Sequence, residues 1–236
     1  MNTKEKPLGQ RSYGHIPHLP GSRMGPADKT CHEGQARIAT EKVRNKHDVV
    51  IIQEKLDGSN VCVARVNGSL VALGRAGYLA STSEYAMHQK FAEWVNRNIS
   101  RFEFLEEGER LCGEWLIQAH GTRYDLPHEP FVAFDILRNP HKRVSYDEFR
   151  SRVKDFIQPR LISHGAPQSI DFVIAALEPS GHGAIDPVEG AVWRVENRGV
   201  VDFLVKYVRP DKTDGKYLPG INGNTEPVWN TWPVVQ

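Results

Sequence analysis

The stretch Glu54-Lys55-Leu56-Asp57-Gly58-Ser59-Asn60 sets a lysine between two carboxylates, one residue after the apolar run Val49-Val50-Ile51-Ile52. An amine in that setting can act as a nucleophile toward phosphorus, provided it sheds its proton. A free lysine has a pKa of ~10.4 and is almost wholly ammonium at neutral pH. Lowering that by roughly three units takes about 4 kcal/mol of environment, from desolvation, neighbouring cations or a metal ion. Lys55, at the end of an apolar segment, is placed for desolvation, and Gly58 lets the chain turn tightly beside a ligand. Lys-x-Asp-Gly is weak by itself and, with nothing else to support it, reads as a surface turn between two strands.

Five further segments follow in order: Gly74-Arg75-Ala76-Gly77, Cys112-Gly113-Glu114-Trp115-Leu116, a run at 131–137 reading FVAFDIL, a run at 188–194 reading VEGAVWR, and a run at 203–209 reading FLVKYVR. Strands are expected to carry them. Residues 49–53 and 61–66 read as strands, and Asn67-Gly68 is a hairpin signal leading into 70–73. A helix is expected over residues 84–99, capped by Ser81, Thr82 or Ser83, with Met87, Phe91, Trp94 and Val95 at helical spacing. Residues 110–117 and 131–137 read as strands, the second apolar enough to be buried on both faces. Ser145 and Glu148 form a capping-box pattern, and residues 169–177 are a shorter helix candidate. Two strands joined at Asn197-Arg198-Gly199 close the pattern. Because strands follow one another directly, with helices between groups, the expected class is α+β, with mixed, largely antiparallel sheets and flanking helices.

The bulk properties set limits. The 236 residues allow one sizeable domain with a small appendage, and a net charge of +1 provides no global attraction for nucleic acid. No apolar stretch approaches the ~18 residues of a membrane span, and the N-terminus has no hydrophobic signal core, so a cytoplasmic protein with no membrane partner is expected. Cys31, Cys62 and Cys112 are odd in number and widely spaced, which argues against a disulfide framework or a zinc ribbon.

As an ordered set, the six segments resemble the covalent nucleotidyltransferases and, within them, the ATP-dependent RNA ligase family, over about residues 50–209. The resemblance implies an ATP-grasp-like nucleotidyltransferase domain of the ligase kind, with its sheets around a nucleotide cleft. It makes residues 48–209 an adenylation domain; by composition, the Gly-, Pro- and His-rich residues 1–47 read as an irregular N-terminal arm packed on the domain, and the Gly- and Pro-rich residues 210–236 as an irregular C-terminal tail without a separate oligonucleotide-binding domain. Lys55 would take AMP from ATP as a covalent phosphoramidate, with Glu54 near the adenine, Asp57 lining the nucleotide site and Asn60 on its phosphate side. Arg75 would bind ribose or an incoming 5′-phosphate, Glu114 the ribose hydroxyls, and Phe134 would stack on adenine. Glu189 and Glu114 would serve the metal, Mg²⁺ or Mn²⁺, and Lys206 would hold the α-phosphate. The implied partner is RNA with 5′-phosphate and 3′-hydroxyl ends, as a nicked duplex or an RNA–DNA hybrid. A DNA ligase, a capping-type enzyme or a non-catalytic nucleotide-binding module on the same fold are the alternatives.

One departure stands out. The family's last motif commonly carries lysines at alternate positions, whereas here Lys206 is followed by Val208, or preceded by Leu204. The arm offers Tyr13, His15, His18 and Arg23 as possible phosphate or base contacts. Elsewhere in the chain, the short basic stretches Lys142-Arg143 and residues 150–154 offer a basic patch.

Overall fold

The computed structural model describes residues 6–138 and 140–233. Residues 1–5 of the N-terminal arm and 234–236 of the C-terminal tail lie outside the described residues. The chain divides into two compact units and passes between them at 14/15, 57/58, 118/119, 129/130 and 158/159.

The first unit takes in residues up to 14 together with Gly58–Gln118 and Pro130–Gln158. Its sheet has five antiparallel strands in the order β3-β2-β4-β5-β6: β2 (Ser59–Val66), β3 (Ser69–Gly74), β4 (Arg110–Trp115), β5 (Phe131–Arg138) and β6 (Lys142–Arg143). Asn67 and Gly68 turn the hairpin with φ of 51° and 76°, as that dipeptide favours. Helix α2 (Ala86–Arg97) lays Phe91 and Trp94 against Trp115 and Phe131, with ring centroids 5.3 to 5.8 Å apart across the sheet. The expected serine or threonine cap is not used. Tyr85 occupies the N-cap without a side-chain bond, while the Ser83 hydroxyl accepts from the Tyr85 N–H.

Helix α3 (Tyr146–Arg152) is capped by Ser145, whose hydroxyl accepts from the Glu148 N–H at 3.2 Å. The Glu148 carboxylate bonds Arg138 and Arg152.

The second unit comprises His15–Asp57, Ala119–Glu129 and the residues from 159 onward. Its antiparallel sheet runs β7-β1-β8-β9: β1 (Asp48–Lys55), β7 (Leu161–Gly165), β8 (Gly190–Asn197) and β9 (Val200–Val208). One face carries Val50, Ile52, Trp193, Val195 and Val205, covered by Ala36 and Ala39 of α1 (Glu33–Thr40) and Val173 of α4 (Ile170–Ala175). Ser169 caps α4. Segment 17–23 lies along β9: Lys206 N–H donates to Pro17 O, Leu19 N–H to Lys206 O, Val208 N–H to Ser22 Oγ and Arg23 N–H to Val208 O, at 2.8 to 3.0 Å. Both sheets being antiparallel, the α+β class holds. Among the described residues, no helix is long and apolar enough to cross a membrane.

The three cysteines are free and buried, Cys62 directly opposite Cys112 on β2 and β4. Tyr13 and His18, read as arm contacts, are buried at 4% and 1% exposure and pack within their units instead. Arg143 and Arg152, from the proposed basic patch, are taken up by the buried carboxylates of Asp135 and Glu109.

Glu109 is the most bonded of these acids, accepting from Arg152, Arg138 and the Glu106 N–H. Burial pushes its pKa up, but these bonds outweigh burial and bring it to about 2 from 4.5. A lowered folded-state pKa stabilises the fold above the unfolded value and is lost as pH falls through the folded one. The contribution, about 3 kcal/mol, is therefore complete above pH ~4.5 and vanishes towards pH 2. Urea unfolding across this window should show the wild type losing stability more steeply than Glu109→Gln; parallel curves would remove Glu109 as the group responsible.

Candidate active site

Lys55 is the last residue of β1, where it lies opposite Gly190 of β8, which in turn lies opposite Val208 of β9. Lys206 lies opposite Val192, itself opposite Gln53. Directly opposed residues share a sheet face, so Lys55, Lys206 and Val208 all project from the face away from the Trp193 core. Leu204, Lys206 and Val208 thus form the alternating row in which one lysine is present.

Glu189 immediately precedes β8, and its Oε2 accepts from Lys55 Nζ at 2.5 Å, the Lys55 side chain being 22% exposed and that of Glu189 9%. Gly190 makes this approach possible. A Cβ there would stand 1.9 Å from the Tyr207 carbonyl oxygen, so any larger residue would drive β8 and β9 apart. Burial raises the Glu189 carboxyl above the usual range; Lys55 pulls it down, and Asp57 adds to the rise.

Asp57 extends the cluster. Its Oδ2 accepts from Lys212 Nζ and from the Gly121 N–H, both at 2.9 Å, and its own N–H donates to the Tyr124 hydroxyl. Burial opposes ionisation of Asp57, yet Lys212 and Lys55 prevail and hold its carboxyl below the usual range. Gly121 is as confined as Gly190, since a Cβ would meet the Thr213 carbonyl oxygen at 2.4 Å and Asp57 Oδ2 at 2.9 Å. Burial, seconded by Lys55, keeps neighbouring His120 neutral against the pull of Asp57. The result is an ordered series of charges, Lys55 on Glu189 and Lys212 on Asp57. Sequence reasoning missed Lys212, which comes from the Gly- and Pro-rich tail after β9. The empty lysine place at Val208 was the one available signal for it.

The remaining residues of interest in this unit lie apart from that series. Glu54 points to the opposite sheet face, where it is buried and accepts from Arg160 Nε, Ser180 Oγ and the Gly181 N–H at 3.1, 2.6 and 2.9 Å. Arg160 also donates to the carbonyls of Ala176 and Leu177 after α4, so Glu54 fixes the chain on that side. Lys206 Nζ stands 3.7 Å from Asp28 Oδ1, while Asp28 Oδ2 lies 3.2 Å from His18 Nε2. Arg209 bonds Asp211 and donates its N–H to Glu189 O.

Asn60, Arg75, Glu114 and Phe134 belong to the five-stranded unit. Asn60 and Glu114 are directly opposite on β2 and β4, and Glu114 Oε1 accepts from the Gly58 N–H at 3.1 Å. Arg75 is exposed just beyond β3 and donates to Gly14 O. Phe134 is half-buried, with its ring at 73° to that of Tyr13 and the centroids 5.2 Å apart.

Among the described residues, no group of three or more His, Cys, Asp or Glu side chains is arranged to hold a metal ion. Among the oxygens beside Lys55 are the two carboxylates Glu189 and Asp57 and the Leu56 carbonyl, to which Lys55 Nζ donates at 3.3 Å. Such a set is too sparse for structural zinc, but it fits Mg²⁺ or Mn²⁺, which complete their shells with water and phosphate oxygens.

The family model described as RNA ligase matches residues 48–208. No curated protein matches. Among solved structures, a Naegleria gruberi RNA ligase with pyrophosphate is 20% identical, covers 81% of this chain and 58% of its own, and has a TM-score of 0.52. A variant of a Naegleria gruberi RNA ligase with ATP and Mn is 20% identical over 81% of this chain and 59% of its own, with a TM-score of 0.51. An archaeal ATP-dependent RNA ligase is 22% identical over 68% of this chain and 42% of its own, with a TM-score of 0.45. The chain thus spans between 42% and 59% of the length of these structures. The Naegleria structures share the fold, and the family model takes in well over half of the 236 residues. This chain belongs to the RNA ligase family.

Proposed function

We propose that the protein is an ATP-dependent RNA ligase whose nucleophile is Lys55, with residues 48–209 as its adenylation domain. The observation that carries the reading is the 2.5 Å contact between Lys55 Nζ and Glu189 Oε2 at the end of β1, flanked by Asp57 and Lys212. In the first step the Lys55 nitrogen attacks the α-phosphorus of ATP. An N–P bond forms, the bond from that phosphorus to the bridging oxygen breaks, and pyrophosphate leaves. AMP then passes to an RNA 5′-phosphate, and a 3′-hydroxyl attacks the activated phosphate and expels AMP.

Each residue has a task in this scheme. Lys55 must lose its proton before its lone pair can attack, and Glu189, raised by burial, is the nearest base to take it. Lys206, on the same sheet face, and Lys212 supply positive charge for the α-phosphate, with Lys212 standing in for the alternate lysine replaced by Val208. Glu189 and Asp57 would hold Mg²⁺ or Mn²⁺, which when bound draws negative charge off the phosphates. Glu114 is the further carboxylate assigned to that metal by the resemblance. Asn60, Arg75, Glu114 and Phe134 are the proposed ribose, phosphate and base contacts, and Glu54 acts by fixing the chain around Arg160. The substrate is RNA bearing 5′-phosphate and 3′-hydroxyl ends, as in the repair of a nicked duplex or hybrid. Three free buried thiols accord with the reducing cytoplasm.

Incubation with α-labelled ATP and Mg²⁺ or Mn²⁺ should label the wild type and leave Lys55→Ala blank; undiminished labelling of the variant would rule Lys55 out. In single-turnover kinetics, Lys212→Ala should slow AMP transfer to the protein by about a hundredfold, the scale of losing one group that stabilises developing charge. An unchanged rate would confine Lys212 to a structural role beside Asp57.

A further inference from the structure

We propose that the cavity at the ends of β2 and β3 binds one nucleotide of the RNA strand, its base stacked on Tyr85 and Tyr78 and its phosphate at Arg75. The proposal rests on the ligase reading for the identity of the strand and adds a place where that strand is held. The cavity measures about 320 Å³ and is lined by Asn60, Arg75, Tyr78, Tyr85 and His88 among others. That is room for a single small ligand.

Three observations point to a nucleotide. First, the exposed aromatic side chains among the described residues are Tyr78 at 37%, Tyr85 at 57% and Phe172 at 53%, and two of the three line this one cavity. Exposed rings gathered at a concave site are what a sequence-tolerant base platform needs, since every base has a π-face. The Tyr85 ring is held edge-on by His88, with centroids 5.9 Å apart at 89°, and His88 is itself fixed by Ser83 Oγ at 2.9 Å. Second, cations adjoin the rings: exposed Arg75 donates to Gly14 O at 3.2 Å, and Lys6 Nζ lies 4.4 Å over the Tyr78 ring. A guanidinium has five donors in a planar fork suited to phosphate. Third, Asn60 lines the cavity, and its buried Oδ1 has no hydrogen-bond partner among the described residues. Such an acceptor calls for a donor from a ligand, and the ribose 2′-hydroxyl of RNA is one. Tyr78, Tyr85 and His88 fall outside the six motif segments, so the sequence reading gave them no role.

The test separates strand binding from AMP loading. The affinity for a fluorescently labelled single-stranded oligoribonucleotide with a 5′-phosphate is measured for wild type, Tyr85→Ala, Tyr85→Phe and the double variant Tyr78→Ala/Tyr85→Ala. AMP loading from labelled ATP is measured in parallel. Tyr85→Ala should weaken RNA binding about tenfold and the double variant further, Tyr85→Phe should retain it, and AMP loading should stay at the wild-type level in all three. Unchanged RNA affinity in the double variant would overturn the proposal, and so would a fall in AMP loading that matches the fall in RNA binding, which would assign the cavity to ATP. Lys55→Ala reports separately on the ligase reading, because it should lose AMP loading while keeping RNA affinity.

Discussion

A carboxylate that is 9% exposed can remain ionised only beside a positive charge, and for Glu189 that charge is the Lys55 ammonium at 2.5 Å. Much of the local backbone serves to make this contact possible. Gly190 lets β8 come so close to β9 that Glu189 is delivered to the end of β1, and Gly121 admits a loop against Asp57 without a side chain in the way. Lys212 then neutralises Asp57, so that neither acid is left without a cation. Removing any one member strands its partner as an uncompensated charge in a desolvated place, which costs more than the lost contact alone.

The architecture was legible in the sequence where local chemistry and burial agreed. Strands β8 and β9 meet at the expected turn around Asn197-Arg198-Gly199, and Asn67-Gly68 turns the hairpin its dipeptide announced. The six ordered segments at 50–209 coincide with the family match at 48–208. What stayed hidden was set by tertiary contact. Helix α1, in a stretch with few apolar residues, owes its existence to Ala36 and Ala39 packing on the sheet, a cause no helical pattern of eight residues discloses. Strand β7 is five residues long and begins two residues after Pro159, too short for a period to register. Lys212 was signalled only by the empty lysine place at Val208, because a lysine in an irregular tail carries no spacing that ties it to Asp57.

Buried polar groups shape the five-stranded unit as strongly as its aromatic core does. Arg110 is fully buried, donating to the Ser12 and Pro140 carbonyls, while Asp135 holds Arg143 at 2.6 Å and the Tyr13 hydroxyl at 3.2 Å. The Arg143 guanidinium lies 5.1 Å from the Tyr13 ring centroid. The segment around Tyr13 is thereby fixed against β5, with its ring on Phe134. Burial also pushes the Tyr13 hydroxyl far above its ordinary pKa, so it serves as a neutral donor.

Strand β9 would end the four-stranded sheet with a row of unpaired amides and carbonyls, the kind of border on which foreign strands assemble. Residues 17–23 occupy that border at Lys206 and Val208, and His18 pairs onward with Thr30. One short piece of backbone therefore does two jobs: it holds the Lys206-bearing strand in register, and it takes up the hydrogen-bonding groups at Lys206 and Val208 on which another strand could pair.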